Sequence, residues 1–271
     1  ILHWAHGNGL NAPTYFNLLD QLSRFCTVYA WDARSHGLNT NLASPKIGET
    51  YSKYSEDLIE LINHLYNKHK QRIIIAGHSF GGTLCVRVEH ALKDKISKLI
   101  LADPVLFTRV NYVASLILRA IKFKYPRALY LAQNAKNREY KWSNTKEVIR
   151  VLGKKNLFKN WDELSLENYV KYGTKSLGED ITLSCPPSVE SQIFKDSEKE
   201  MLVKQISNLS TNTYIFLAAK GSPAFAKRAI EKSPFVLSQL TIEKSNHMFP
   251  IEMYKEFSNE IHTKVFKSTQ N

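Results

Sequence analysis

The chain has 271 residues, of which 43% are hydrophobic and 23% charged, the balance of a globular protein with enough length to bury a large core. Its formal net charge is +12, yet it shows no nucleic-acid-reading motif, no basic stripe, and no run of about 18 apolar residues of the kind that crosses a membrane. Cys26, Cys85 and Cys185 lack C-x-x-C or metal-ligand spacing, so they read as reduced thiols of a cytoplasmic protein, and the lysine excess reads first as a solvated surface, with attraction to anionic substrates or a membrane surface as the weaker alternative.

In chain order, residues 1–6, 27–31, 72–76 and 98–102 are short runs rich in β-branched and aliphatic side chains, and each predicts a strand. Between them Leu58, Leu61, Ile62 and Leu65 recur at i, i+3, i+4 and i+7, one face of a helix. Leu84, Val88, Ala91 and Leu92 repeat the pattern further on. Fully apolar strands alternating with amphipathic helices imply an α/β protein whose mostly parallel sheet is flanked by helices on both faces. From about residue 105 to 205 the character changes. Helical patterns cover 116–124, 128–138, 145–152 and 165–172, broken at Pro126, Gly153, Gly173 and Pro186-Pro187, with no convincing buried strand. Alternation then resumes with a strand over 213–219, a helix over 223–232, a strand over 236–242 and a final helix over 251–266.

Four segments fall at the ends of these strands. His6-Gly7-Asn8-Gly9 closes the first and Asp32-Ala33-Arg34-Ser35-His36-Gly37 the second. Gly77-His78-Ser79-Phe80-Gly81-Gly82 joins the third to a helix, and Ser245-Asn246-His247-Met248-Phe249-Pro250 follows the last. A serine between glycines at a strand-to-helix junction is the G-x-S-x-G turn, which strains the serine and leaves no room for neighbouring Cβ atoms. Together the four segments resemble the α/β-hydrolase superfamily, specifically its cap-bearing serine hydrolases and esterases.

That resemblance implies an α/β-hydrolase core over residues 1–104 and 206–271, built on a mostly parallel eight-stranded sheet, with an inserted helical cap over 105–205. The first visible strand would be the third of that sheet, so leading strands are expected to be missing from this chain. Ser79 is implied as nucleophile, His247 as its base, and the backbone N–H groups of Asn8 and Phe80 as the oxyanion hole, with the Asn8 amide a possible extra contact. Each has a plainer rival: Ser79 and Asn8-Gly9 as structural turns, His247 as a structural histidine. The acid departs from the usual pattern. The turn that commonly carries it reads Ala218-Ala219-Lys220-Gly221-Ser222-Pro223, with Ser222 at the carboxylate position. The family's second location, after the strand that follows the elbow helix, supplies Asp103. Asp103 precedes Pro104 and reads equally as a turn starter at the edge of the cap; a dyad without any acid is the third alternative.

Asp32 reads as fixing its own loop, His6 as bracing the oxyanion loop and His78 as packing beside the nucleophile. His64, His69, His90 and His262 read as solvated positions on helices. Phe107, Tyr125, Tyr130, Trp142, Phe158, Trp161 and Tyr169 line a substrate pocket or fill the cap's own core. The expected function is hydrolysis of a small-molecule carboxylic ester with no cofactor, no metal and no nucleic-acid partner. The alternatives are hydrolysis of a C–C bond in a diketone-like substrate, or non-catalytic ligand binding under the cap. Serine at the elbow argues against the dehalogenase and epoxide hydrolase branches, which place an aspartate there. Oligomeric state is left open.

Overall fold

The computed structural model of the chain describes residues 1–121 and 127–267. Its strands are β1 (Leu2–Ala5), β2 (Val28–Ala30), β3 (Ile73–His78), β4 (Ile96–Ala102), β5 (Lys141–Trp142), β6 (Thr174–Leu177), β7 (Asp180–Leu183), β8 (Thr213–Ala218) and β9 (Val236–Ile242). Six of them form one sheet in the order β2-β1-β3-β4-β8-β9, and every pairing in it is parallel.

The two-residue period of a strand sends alternate side chains to opposite faces, and both faces of this sheet are packed. Ile73, Ile75, Leu99, Leu101, Ile215 and Leu217 join one core, with Leu58, Ile62, Leu65, Leu84 and Val88 from the helices Thr50–His69 and Phe80–Leu92. Ile74, Ala76, Ile100, Ala102, Tyr214 and Phe216 join the other, with Leu18, Leu22, Phe257 and Ile261 from Phe16–Ser23 and Tyr254–Ile261. This is why the central strands read as unbroken apolar runs. The edge strand β9 alternates between exposed and covered residues, as its mixed sequence does.

Between β4 and β8 the chain departs from the sheet, and here the sequence expectation of a purely helical segment is corrected. Helices Arg109–Ala120, Arg127–Lys136, Thr145–Leu152, Glu163–Gly173 and Pro187–Ser197 are joined by a small antiparallel sheet in the order β5-β7-β6. The helix expected over 116–124 begins earlier, because Thr108 and Asn111 form a reciprocal capping box. Tyr125 and Pro126, and the end of that expected helix, lie outside the described residues. Pro186-Pro187 starts a helix as well as ending a segment, since the first turn of a helix needs no N–H from its proline. The helix expected over 223–232 begins only at Lys227, because Ala224 is held in a bridge to Leu106. The last expected helix is split into Phe249–Glu252, Tyr254–Ile261 and a wider turn, His262–Phe266.

Candidate active site

Ser79 leaves β3 with φ 54° and ψ −115° and serves as N-cap of the helix Phe80–Leu92. Such a backbone costs on the order of 1–3 kcal/mol and persists only where its surroundings enforce it. They do so here by proximity. A Cβ on Gly81 would sit 2.2 Å from the Ala5 carbonyl oxygen, and one on Gly77 would sit 2.5 Å from the Gly81 carbonyl carbon. The glycines of the motif therefore let the helix descend onto β1 and β3 until the turn is forced. Ser79 N–H donates to Ala102 O at 2.9 Å, and Ser79 O accepts from the Thr83 hydroxyl at 3.0 Å.

His247 stands in the loop after β9. The Ser245 hydroxyl anchors that loop, donating to Ile242 O at 2.6 Å and accepting from Ala219 N–H at 3.1 Å beyond β8. Its imidazole Nε2 lies 2.9 Å from Ser79 Oγ, and its Nδ1 lies 2.6 Å from Asp103 Oδ2. Asp103 follows β4 with φ 44° and is fully buried. Its other oxygen, Oδ1, accepts from the Ser222 hydroxyl at 2.5 Å and from Ala218 N–H at 3.1 Å. Burial works against the Asp103 charge, but the His247 ring together with the Ser222 and Ala218 donors outweighs it and holds the carboxyl below its ordinary range. Of the two family positions for the acid, Asp103 is the one that touches the histidine, and Ser222 at the other position serves as donor to it. A turn-starting role does not account for these contacts.

The loop after β1 is pinned on both sides of Asn8. Gly7 N–H donates to the Tyr15 hydroxyl at 3.0 Å and Gly9 N–H to His36 Nε2 at 3.2 Å. The N–H groups of Asn8 and Phe80, by contrast, have no acceptor among the described residues, and both residues line the same cavity as Ser79 and His247. Two unpaired backbone donors beside a hydroxyl are what an oxyanion site requires. The Asn8 amide is engaged elsewhere, donating to Glu190 O at 2.9 Å.

Three buried histidines hold this edge of the sheet. His6 Nδ1–H donates to Gly7 O at 2.7 Å while its Nε2 accepts from Ala33 N–H at 3.0 Å. The His36 Nδ1–H donates to Arg34 O at 3.0 Å. His78 Nε2–H donates to His247 O at 2.8 Å, which leaves Nδ1 to accept from the Tyr15 hydroxyl at 2.6 Å. Burial pushes all three rings down, to about 4 for His6 and about 3 for His36 and His78, so they are neutral and their tautomers are set by these partners. Asp32 fixes its own loop as expected, accepting from Ala12 N–H and Leu38 N–H, both at 2.8 Å. Sequence reasoning missed Tyr15 and His36, whose roles depend on contacts 8 and 27 residues away. Of the helical histidines read as solvated, His69 instead bonds the Tyr29 hydroxyl at 2.8 Å and His262 stacks on Phe25.

Above Ser79 opens a cavity of about 700 Å³ with a mainly apolar wall that includes Leu10, Tyr51, Phe107, Phe158, Ile193 and Phe225. Its charged lining is Arg127, Arg138, Lys155 and Glu190, of which Arg138 and Glu190 pair at 2.7 Å. This pair was also missed, because its members lie 52 residues apart in a segment with no motif. Of the aromatics singled out in the sequence, Phe107 and Phe158 line the cavity. Trp142, Trp161 and Tyr169 are buried in the core beside Phe158, Tyr130 is exposed, and Tyr125 lies outside the described residues.

The sequence profile of the alpha/beta hydrolase family matches residues 4–259. Protein phosphatase methylesterase 1 of Candida glabrata is 29% identical over 134 residues, which cover 45% of this chain and 34% of that protein. The abhydrolase domain-containing protein abhd-5.2 of Caenorhabditis elegans is 28% identical over 100 residues, 36% of this chain and 22% of that one. The chain thus spans about a third or less of these curated relatives. Among solved structures, E-2-(acetamidomethylene)succinate hydrolase superposes with a TM-score of 0.78 at 17% identity, covering 98% of this chain and 91% of the other. A thermophilic esterase from Thermogutta terrifontis superposes at 0.65 and 17% identity, covering 98% and 89%. At such identities the superpositions speak for the shared fold.

Proposed function

The chain belongs to the alpha/beta hydrolase family, and from that premise we propose that it is a serine hydrolase cleaving a small-molecule carboxylic ester through an acyl-enzyme. The observation that carries this reading is the unbroken hydrogen-bonded line from Ser79 and His247 at the cavity wall to the buried Asp103 behind them. Residues 105–205 act as the cap that supplies most of the cavity wall.

The chemistry follows from the proton positions. Asp103, ionised and fully buried, fixes the His247 proton on Nδ1, so the Nε2 lone pair faces the Ser79 hydroxyl. Ser79 Oγ attacks the ester carbonyl carbon as its proton passes to Nε2. The carbonyl oxygen becomes an oxyanion and takes the free N–H groups of Asn8 and Phe80. Collapse expels the alcohol, which leaves with the proton from His247. Water then repeats the sequence on the acyl-enzyme, releasing the acid and restoring the serine. The contact between Asp103 and His247 speaks against the non-catalytic reading, because it gives the histidine the acid that the usual position lacks.

The test is labelling with a fluorophosphonate probe, which reacts with activated serines. One probe per folded chain, lost in Ser79→Ala, is the expected result; a folded protein that takes up no probe overturns the proposal.

A further inference from the structure

The helix Arg109–Ala120 is built inside out for a protein surface. Its inward face is polar: Ser115 is buried and donates to Glu198 Oε2 at 2.9 Å, and Arg119 pairs with the same carboxylate. Its outward face is apolar. Val110, Val113 and Ile117, continued by Ile121, fall on one helical stripe and are 77%, 44%, 55% and 61% exposed. A charge bias coincides with it. From residue 105 to 138 there is no Asp or Glu, against Arg109, Arg119, Lys122, Lys124, Arg127, Lys136 and Arg138, of which Arg119 and Arg138 are paired with Glu198 and Glu190 from outside the stretch. More than half of the chain's net +12 is thus concentrated in one stretch, a feature that an average over the whole sequence hides.

We propose that this helix docks on an anionic lipid surface, its Val110–Val113–Ile117–Ile121 stripe lying in the headgroup boundary and the net positive charge of the surrounding sequence drawing it to acidic headgroups. An aliphatic stripe beside a basic stretch is the pattern of an interfacial helix. A second copy of the chain is the poorer occupant, because it would set two acid-free basic stretches against each other. The site is tied to the cavity. The helix begins two residues after Phe107, and its inward bonds end on Glu198, next to Ser197; both Phe107 and Ser197 line the cavity. Docking would therefore hold the cavity wall at the lipid boundary.

The experiment is cosedimentation of the full chain, as Ser79→Ala to prevent turnover, with vesicles of phosphatidylcholine alone or containing about a third phosphatidylserine. Partitioning to the anionic vesicles should exceed that to neutral ones by about tenfold or more and fall steeply in high salt. The double variant Val113→Ser, Ile117→Ser should lose at least about tenfold of it, while fluorophosphonate labelling in the Ser79 background stays at the wild-type rate. No binding, equal binding to both vesicles, binding untouched by the double variant, or a dimer in sedimentation velocity that the double variant dissolves, each overturns the proposal. Vesicle binding is read without catalysis, so its failure and that of the hydrolase reading are separable.

Discussion

Asp103→Asn exchanges one buried oxygen for an amide NH₂, and the contacts around it allow two placements. In the first, the remaining oxygen keeps its donors, Ser222 Oγ and Ala218 N–H, and the NH₂ faces His247 Nδ1. Nδ1 must then accept, which moves the imidazole proton to Nε2 and leaves Ser79 without a base. That tautomer error costs about 10⁴-fold in kcat, or about 5.5 kcal/mol. In the second placement the oxygen faces His247, but Ala218 N–H is left pointing at an NH₂ in a fully buried site. An orphaned buried donor costs about 1–3 kcal/mol, which keeps this competent form at roughly one part in 5 to one in 150. A further factor of about ten follows from replacing a charge-assisted hydrogen bond by a neutral one. The competent minority sets the observed rate, so the expected loss in kcat is about 10²–10³-fold. KM should hold, because Asp103 does not line the cavity. Steady-state kinetics on a chromogenic ester measure it, and the fluorophosphonate labelling rate should fall in parallel. A folded variant within about threefold of wild-type kcat would refute the assignment and the reasoning behind it.

Acid should unfold the protein early. Burial depresses the His3 ring to about 3, as it does those of His6, His36 and His78 to about 3–4, against about 6.5 in an unfolded chain. Between those values the unfolded state binds up to four more protons, so stability falls as pH drops, by at most about 5 kcal/mol per unit. Circular dichroism should therefore show unfolding between about pH 6 and 4, and a chain intact below pH 4 would contradict the burial. The depressed Asp103 carboxyl adds stability only above its unfolded value, near 4, so its contribution is lost below that window. Gly81→Ala should lower the melting temperature sharply, with a cost of about 1–3 kcal/mol or more, since its Cβ meets the Ala5 and His6 carbonyl oxygens within 2.7 Å; an unchanged melting curve would refute the close approach. Tyr15→Phe strands Gly7 N–H and His78 Nδ1 in a buried site, at about 1–3 kcal/mol each. Calorimetry should register that loss, and kcat should fall with it.

The strand ends were legible because the chemistry there is local. A serine between glycines forces the elbow, and an apolar run before it forces a buried strand. Asp103 was only half legible: Asp-Pro serves a turn as well as a triad, and the choice lies in a 2.6 Å contact across 144 residues. The small sheet β5-β7-β6 was missed because its strands are two to four residues long and carry Lys, Thr and Ser on open faces. Gly178, at φ 64° between β6 and β7, was the available signal of a hairpin. The helix Arg109–Ala120 was misplaced because its start is set by the Thr108–Asn111 capping box, which apolar periodicity does not mark, and periodicity also does not say whether its stripe faces in or out.

The bonds running from Gly7 N–H through the Tyr15 hydroxyl and the His78 ring to the His247 carbonyl join the oxyanion loop to the base loop. Every group on that line is neutral, and its ring does not titrate until about pH 3. The frame that sets the distance between electrophile-binding donors and base is thus blind to pH wherever the fold survives. In the proposed mechanism His247, whose side chain is 26% exposed, gains and loses a proton in every cycle. That mechanism assigns alignment and proton traffic to different histidines one ring apart, so an activity profile against pH should read the traffic without distortion from the alignment.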